Sequence, residues 1–414
     1  MHSEVFLGRQ PIVDAEREVF GFELLYRGGP DRATAFDDPD AATRGVMERV
    51  FLQWGMEHIV GHRFGMINAS ASLIVNGLHL AMPAEGMIIE VRETEPFGID
   101  TVTALREARH NGYHFALDNV SRLGDLEHSE LLPLASIVKI ELTTAHHGEI
   151  DRLITVARER SPGVLVIAEK VETTEDFDRS IELGFDLFQG YHLAKPEVLR
   201  RPARRASSRS AHDLCAALDG DVDLDRIESI VSSDPSLAFR LLTAINANAF
   251  GLDRRVETVA EAIRLLGITK LRCLADLLSS SLEMLDDADT VALGANRARM
   301  AAALLDGTDA EHAGVMAALL SVSDRMYDSP LGGLLGELPL AEDVAAAIVG
   351  GHGTVGRTLD IIRACERDDR LVIDELAPSR YEEVMQLYRD APHPAATNEP
   401  NGASAERSNT PELA

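Results

Sequence analysis

The chain has 414 residues, enough for two or three domains with sizeable cores, and its 45% hydrophobic, 26% charged composition excludes a wholly disordered or collagen-like polymer. Forty basic against sixty-eight acidic residues leave a net charge of −28, a field that repels phosphate backbones and anionic lipid and so argues against nucleic-acid and membrane partners. Cys215, Cys273 and Cys365 are far apart and form no C-x-x-C pair, and the N-terminus carries charges with no apolar signal core. A reducing, cytoplasmic setting with free thiols is therefore expected.

From Val5 to about Pro196, short apolar runs alternate with segments of helical period, which predicts βα units around a largely parallel sheet. The runs are EVFGFELL, FGMIN, GMIIE, YHFALD, ASIVKI, VLVIAE and FDLFQ, with helices expected at Arg44 to Val60, Thr101 to Arg109 and Thr174 to Leu183. Leu199 to Asp213 holds Arg200, Arg201, Arg204, Arg205 and Arg209 without an apolar period and reads as a solvated linker docking on an acidic neighbour. Beyond it the chain is rich in Ala and Leu at helical spacing up to about Tyr388, which predicts an all-helical domain. The last stretch has almost no bulky apolar residue and is expected to be disordered. The expected division is thus 1–199 for the barrel-like half, 200–213 for the linker, 214–390 for the helical domain and 391–414 for the tail.

Each of the seven apolar runs delivers a polar residue at or near its end: Glu23, Asn68, Glu90, Asp118, Lys139, Glu169 and Gln189. Any one of these could simply begin a loop. Together they place four carboxylates, an amide pair and one of only four lysines at the C-terminal strand ends, where a (β/α)8 barrel builds its active site. Glu23, Asn68, Glu90 and Asp118 are hard oxygen donors that suit Mg²⁺ or Mn²⁺ rather than zinc. Lys139 and Glu169 beside them fit hydrolysis of a phosphate ester by an activated water.

These motifs resemble those of the EAL domain family of cyclic-di-GMP phosphodiesterases. The resemblance rests on GFELLYR at Gly21 to Arg27, MIN at Met66 to Asn68, IEVRE at Ile89 to Glu93, LDN at Leu117 to Asn119, VKIE at Val138 to Glu141, AEKVE at Ala168 to Glu172 and QGYHLAKP at Gln189 to Pro196. It implies a TIM-like (β/α)8 barrel with Glu23, Asn68, Glu90 and Asp118 as metal ligands and Lys139 and Glu169 around the attacking water. It also implies that Glu172 braces the loop after Asp118, that Gln189 touches the metal-bound solvent and that Arg27 touches a phosphate of cyclic di-GMP. Asn119 stands where the family has a second aspartate; it still offers an oxygen to a metal but removes one negative charge, so the second metal site is in doubt. Glu141 replaces an aspartate and Lys170 a glycine, and AEKVE is similar to the branch of the family fused to HDOD domains.

SSDPSLAFRLLTAINANAFG at Ser232 to Gly251, AEAIRLLGITKLRCL at Ala260 to Leu274 and GVMAALLSVSDRM at Gly314 to Met326 resemble such an HDOD domain. This family is similar to HD phosphohydrolases but lacks their metal-binding His-Asp pair: where those enzymes have G-L-L-H-D, this chain reads Ala318-Leu319-Leu320-Ser321-Val322. His212-Asp213, His312 and His352 read as surface or capping residues. The resemblances imply a bacterial signalling protein whose helical domain is an output module for a protein partner, with the oligomeric state left open. Three functions remain at this level: a nucleotide sensor or scaffold without activity, which is favoured; a weak or conditional cyclic-di-GMP phosphodiesterase; and an interaction module that no longer binds nucleotide.

Overall fold

The computed structural model describes residues 4–30, 38–92, 98–145, 148–203, 208–246, 256–279 and 287–390. The tail expected at 391–414, together with Arg204 and Arg205, lies outside them.

Among the described residues nine strands occupy the first half: β1 Glu4–Val13, β2 Val19–Arg27, β3 Phe64–Asn68, β4 Met87–Arg92, β5 His114–Val120, β6 Ile137–Glu141, β7 Leu165–Glu169, β8 Leu187–Phe188 and β9 Glu197–Pro202. β2 to β8 pair in chain order and in parallel, and β1 closes the ring by pairing antiparallel with both β2 and β8. The result is a closed eight-stranded barrel of the expected class, with one strand reversed. β1 was not among the expected runs, because Gly8 and Pro11 interrupt its apolar pattern. β9 lies in the stretch read as the start of a linker: it pairs antiparallel with the first half of β1, from Glu4↔Pro202 to Arg9↔Glu197. Backbone pairing does not require an apolar side-chain period, so an arginine-rich segment can add a strand.

The barrel interior is layered. Ile12, Met66, Ile88, Ala116, Ile137, Ile167 and Leu187 fill it, and Phe20 stacks on Phe64 at 5.0 Å where β2 and β3 begin. Residues i and i+2 of a strand share a face. Two residues beyond that apolar layer stand Gln10, Asn68, Glu90, Asp118, Lys139, Glu169 and Gln189, while Glu23 follows Gly21 by the same spacing on β2. Eight strands thus contribute eight polar residues to one layer at the mouth.

Helices α1 Pro39–Met47, α2 Met56–Val60, α3 Ala71–Val75, α4 Ile99–His110, α5 Leu123–His128, α6 Ile150–Arg160 and α7 Thr174–Glu182 connect the strands. α7 opens with a reciprocal capping box between Thr173 and Asp176, as its sequence predicts. Between α1 and α2 the chain forms a π-helical segment, Glu48–Trp54, that is buried along its whole length.

The second half is helical: α8 Ser208–Leu218, α9 Leu224–Ser232, α10 Pro235–Asn246, α11 Val259–Ser279, α12 Ala288–Leu305, α13 Glu311–Leu320, α14 Ser323–Tyr327, α15 Leu331–Gly336, α16 Glu342–Gly350, α17 Gly353–Glu366, α18 Arg370–Leu376 and α19 Tyr381–Asp390. α11 breaks at Gly267, whose φ of 72° is open to glycine at little cost. α10 packs against the π-helical segment and α11 against residues 78–81, so the apolar cluster outside the barrel interior runs continuously through both halves. Among the described residues no helix is long and apolar enough to cross a membrane.

Candidate functional site

Lys139 is the hub of the mouth. Its Nζ lies 2.9 Å from Glu90 Oε1, 2.9 Å from Glu169 Oε1, 3.4 Å from Asp118 Oδ1 and 3.5 Å from Glu23 Oε2, with its side chain 1% exposed. Burial opposes the charge on this lysine, but the carboxylates, led by Glu23 and Glu90, outweigh it and hold its pKa well above the usual lysine value. Four carboxylates against one ammonium leave the layer acidic, and the excess is visible in the carboxyl groups themselves. Burial, reinforced by Glu23 and Asp118 and opposed by Lys139, raises Glu90 well above the usual carboxylate range. Burial likewise pushes Glu169 up to about 7 against the pull of Lys139. Glu23 goes the other way: burial raises it, yet Lys139 and hydrogen bonds from Gln189 and Asn68 bring it below its ordinary value.

Amides orient the carboxylates. Gln189 Nε2 donates to Glu23 Oε2 at 2.6 Å and Asn68 Nδ2 to Glu23 Oε1 at 3.2 Å. Asn119 has a left-handed backbone, φ 59°, which asparagine tolerates better than most residues, and its Nδ2 donates to Asp118 Oδ2 at 3.2 Å. Glu90 Oε2 and Gln189 Oε1 are buried without a hydrogen-bond partner. Among the described residues, no three His, Cys, Asp or Glu stand at metal-holding separations; the central cation is the lysine. The donor chemistry nonetheless fits a hard divalent ion, because a buried carboxylate oxygen lacks a partner and the layer carries uncompensated negative charge.

Two cavities open from this layer. One, of about 490 Å³, is lined by Gln10, Glu23, Glu169, Lys170, Glu172 and Tyr191, among others. The other, of about 400 Å³, lies between β2 and α1 and includes Arg27, Thr43, Asn68 and Arg92. Thr43 Oγ1 donates to the backbone oxygen of Asn68 at 2.8 Å. The structure thus brings Glu23, Asn68, Glu90, Asp118, Lys139, Glu169 and Gln189 into one cluster, with Asn119 on its edge and Arg27 in the second cavity. Glu172 lines the first cavity.

Family comparison agrees with this architecture: residues 2–196 match the EAL domain model and residues 210–321 the HDOD domain model. The chain joins an EAL domain to an HDOD domain. A Vibrio cholerae protein named cyclic di-GMP phosphodiesterase CdgJ is 27% identical over 373 residues, 88% of this chain and 85% of its own. Bacillus subtilis YuxH is 25% identical over 403 residues, covering 94% and 97%. Among solved structures, Bacillus subtilis YkuI, an EAL protein in complex with cyclic di-GMP and calcium, is 19% identical with a TM-score of 0.37 over 47% of this chain and 55% of that one. The MucR phosphodiesterase in complex with cyclic di-GMP is 20% identical with a TM-score of 0.36, over 48% and 97%.

Two residues at the mouth of the EAL domain, Gln10 and Thr43, carry no signal in the sequence. Gln10 has none because the apolar pattern of β1 is interrupted; Thr43 has none because its bond is to a backbone oxygen across 25 residues of sequence. The substitutions Glu141 and Lys170 prove to be partners: Lys170 Nζ lies 2.5 Å from Glu141 Oε1, from a backbone with φ 56° where a side chain is costly. Only pairing the two departures with each other could have revealed this. In the HDOD domain, Ser321 is held by an arginine. Arg297 Nη1 donates to its Oγ at 2.9 Å and to its carbonyl at 3.2 Å, while Nε and Nη2 bind Glu366 at 2.6 and 2.8 Å. Val322 is fully buried.

Proposed function

We propose that the EAL domain binds cyclic di-GMP at the mouth together with Mg²⁺ or Mn²⁺, and that it serves mainly as a sensor or scaffold whose output passes through the HDOD domain. Glu23, Asn68, Glu90 and Asp118 would hold the ion, which when bound supplies positive charge to a phosphate oxygen and to a water. Arg27 in the cavity beside α1 is the cation for a ligand phosphate. Gln189 and Asn68 fix Glu23 through their amides. The observation that favours sensing over turnover is Asn119: its amide donates to Asp118 instead of adding a carboxylate, so a second ion would lack charge.

Slow hydrolysis is the second reading, supported by Glu169 standing 2.9 Å from Lys139 at the same mouth. There Glu169 would take a proton from the attacking water as its oxygen bonds to phosphorus. One P–O ester bond would break, leaving a ribose hydroxyl and a terminal phosphate on the linear dinucleotide.

Titrating the full chain with cyclic di-GMP in Mn²⁺ while following linear product separates the readings. Binding with turnover well below ordinary enzyme rates of about 1 s⁻¹ is expected, and Asn119→Asp should raise both Mn²⁺ affinity and turnover. Turnover at about 1 s⁻¹ or above in the wild type overturns the sensor reading; absence of binding overturns both. The HDOD domain is proposed as a surface for a protein partner, without a metal site of its own.

A further inference from the structure

The two domains meet at a costly contact. Arg240 on α10 is fully buried, and its Nη2 donates to Glu48 Oε1 at 2.5 Å, while its Nε and Nη1 have no partner. Gln53 Nε2 donates to the same Glu48 oxygen at 3.1 Å. A buried guanidinium satisfied through one of its nitrogens is an expensive way to fill a core. Glu48 is also the first residue of the π-helical segment, closed by the Gly55 amide donating to the Val50 carbonyl five residues back. π-helical turns are rare, and those that occur are frequently at functional sites. Two costly features therefore coincide at one residue.

That residue continues directly from α1, which reaches the nucleotide site. Gly45 on α1 packs so closely on β2 that a Cβ there would stand 2.7 Å from the Tyr26 ring, and Arg49 lies over the same ring at 4.3 Å. Pro39, Ala42, Thr43 and Val46 of α1 wall the cavity that holds Arg27. Thr43 carries the hydrogen bond to the Asn68 backbone, and Asn68 orients Glu23. The register at which α1 passes into the π-helical segment sets where Thr43 stands, and each residue of slip would rotate α1 by about 100°.

We propose that Arg240 of the HDOD domain is a positioning residue for the ligand site of the EAL domain. Through Glu48 it fixes the register between α1 and the π-helical segment, and through Thr43 it fixes Asn68. Binding at the mouth and docking of the helical domain are then linked, each favouring the other by the same factor. This rests on the reading of the mouth as a metal and cyclic-di-GMP site.

The test uses the full chain and four variants: Arg240→Met, Arg240→Lys, the double variant Glu48→Gln with Arg240→Met, and Cys273→Ala, which alters a different interdomain contact. Calorimetry with Mn²⁺ and cyclic di-GMP should show about tenfold weaker binding in Arg240→Met. Arg240→Lys should stay within about threefold of wild type, since the pair uses one nitrogen. The double variant removes both charges of the pair and should fold, yet bind as weakly as Arg240→Met. Cys273→Ala should bind like wild type. Without any ligand, hydrogen exchange of amides 40–47 and 68–69 should be faster in the double variant, and the emission of Trp54, the chain's single tryptophan, should shift. A double variant that binds like wild type, or a Cys273→Ala that loses as much, overturns the proposal. If the wild type takes up neither ligand, the nucleotide reading fails by itself, and unchanged exchange and emission in the double variant then overturn the positioning role.

Discussion

Lys139 presents its ammonium to four carboxylates inside a closed barrel, so removing it leaves like charges facing one another with no counter-ion. Lys139→Met should lower stability by about 3–5 kcal/mol at pH 8, read from denaturant titration, and added Mn²⁺ should restore part of the loss. The pH dependence follows from Glu169, whose folded pKa of about 7 lies above its ordinary value of 4.5. A raised folded pKa means that the native state binds the proton more tightly, so this contribution is complete below pH 4.5 and is lost as pH rises through about 7. Metal-free wild-type protein should therefore lose stability between about pH 4.5 and 7, and Mn²⁺ should flatten that slope. A flat metal-free profile would show that Glu169 is not pushed upward by its surroundings.

At the scale of elements, the mouth was legible where the apolar layer was. Ile88 and Glu90, Ala116 and Asp118, Ile137 and Lys139 stand two residues apart on strands whose apolar character is unbroken, so the polar end of each run could be read directly. β1 was hidden by Gly8 and Pro11 and took Gln10 with it, while β9 was hidden by arginines whose backbone does the pairing. The π-helical segment has no sequence period of its own; ERVFLQW falls within the single helix expected from Arg44 to Val60. The turn after β8 is set by a contact that a pattern cannot show. A Cβ on Gly190 would come within 2.1 Å of the Val171 carbonyl, around which residues 189–192 fold through the bonds Val171 N to Gln189 O and His192 N to Val171 O. Gly190→Ala should cost about 1–3 kcal/mol by overpacking, and it should also weaken Mn²⁺ binding, because the displaced Gln189 no longer holds Glu23. Calorimetry on the folded variant checks the second effect; undiminished binding would remove Gln189 from the site.

Across the whole molecule, the continuous core predicts how the domains come apart. Cys273 lies between them, its Sγ donating to the Gly77 carbonyl at 3.4 Å, whereas Cys365 is buried within the helical half. Burial pushes both thiols up to about 11, so at pH 8 only about one in a thousand is ionised and both should resist alkylation in the native state. Pulse alkylation across a urea series should label both in a single transition, since one apolar cluster runs unbroken across the interface. Labelling of Cys273 well before Cys365 would show that the domains separate while each stays folded.

The reversed first strand also sets a timetable for folding. β1 offers one edge to β2, which follows within a few residues, but its other edge waits for β8 and β9, nearly the whole barrel later in the chain. On a ribosome adding about 5–20 residues per second, the roughly 180 intervening residues take about 10–35 s. During that time a β1–β2 hairpin stands with an unsatisfied edge. The ring can close only once Leu187–Phe188 has emerged, and the rest of that edge is covered by Glu197–Pro202, the segment that leads into the helical domain. The nascent barrel thus finishes its seam as synthesis of the second domain begins, and the mouth layer, which needs Gln10 and Gln189 from the two sides of that seam, is the last part of the barrel to be assembled.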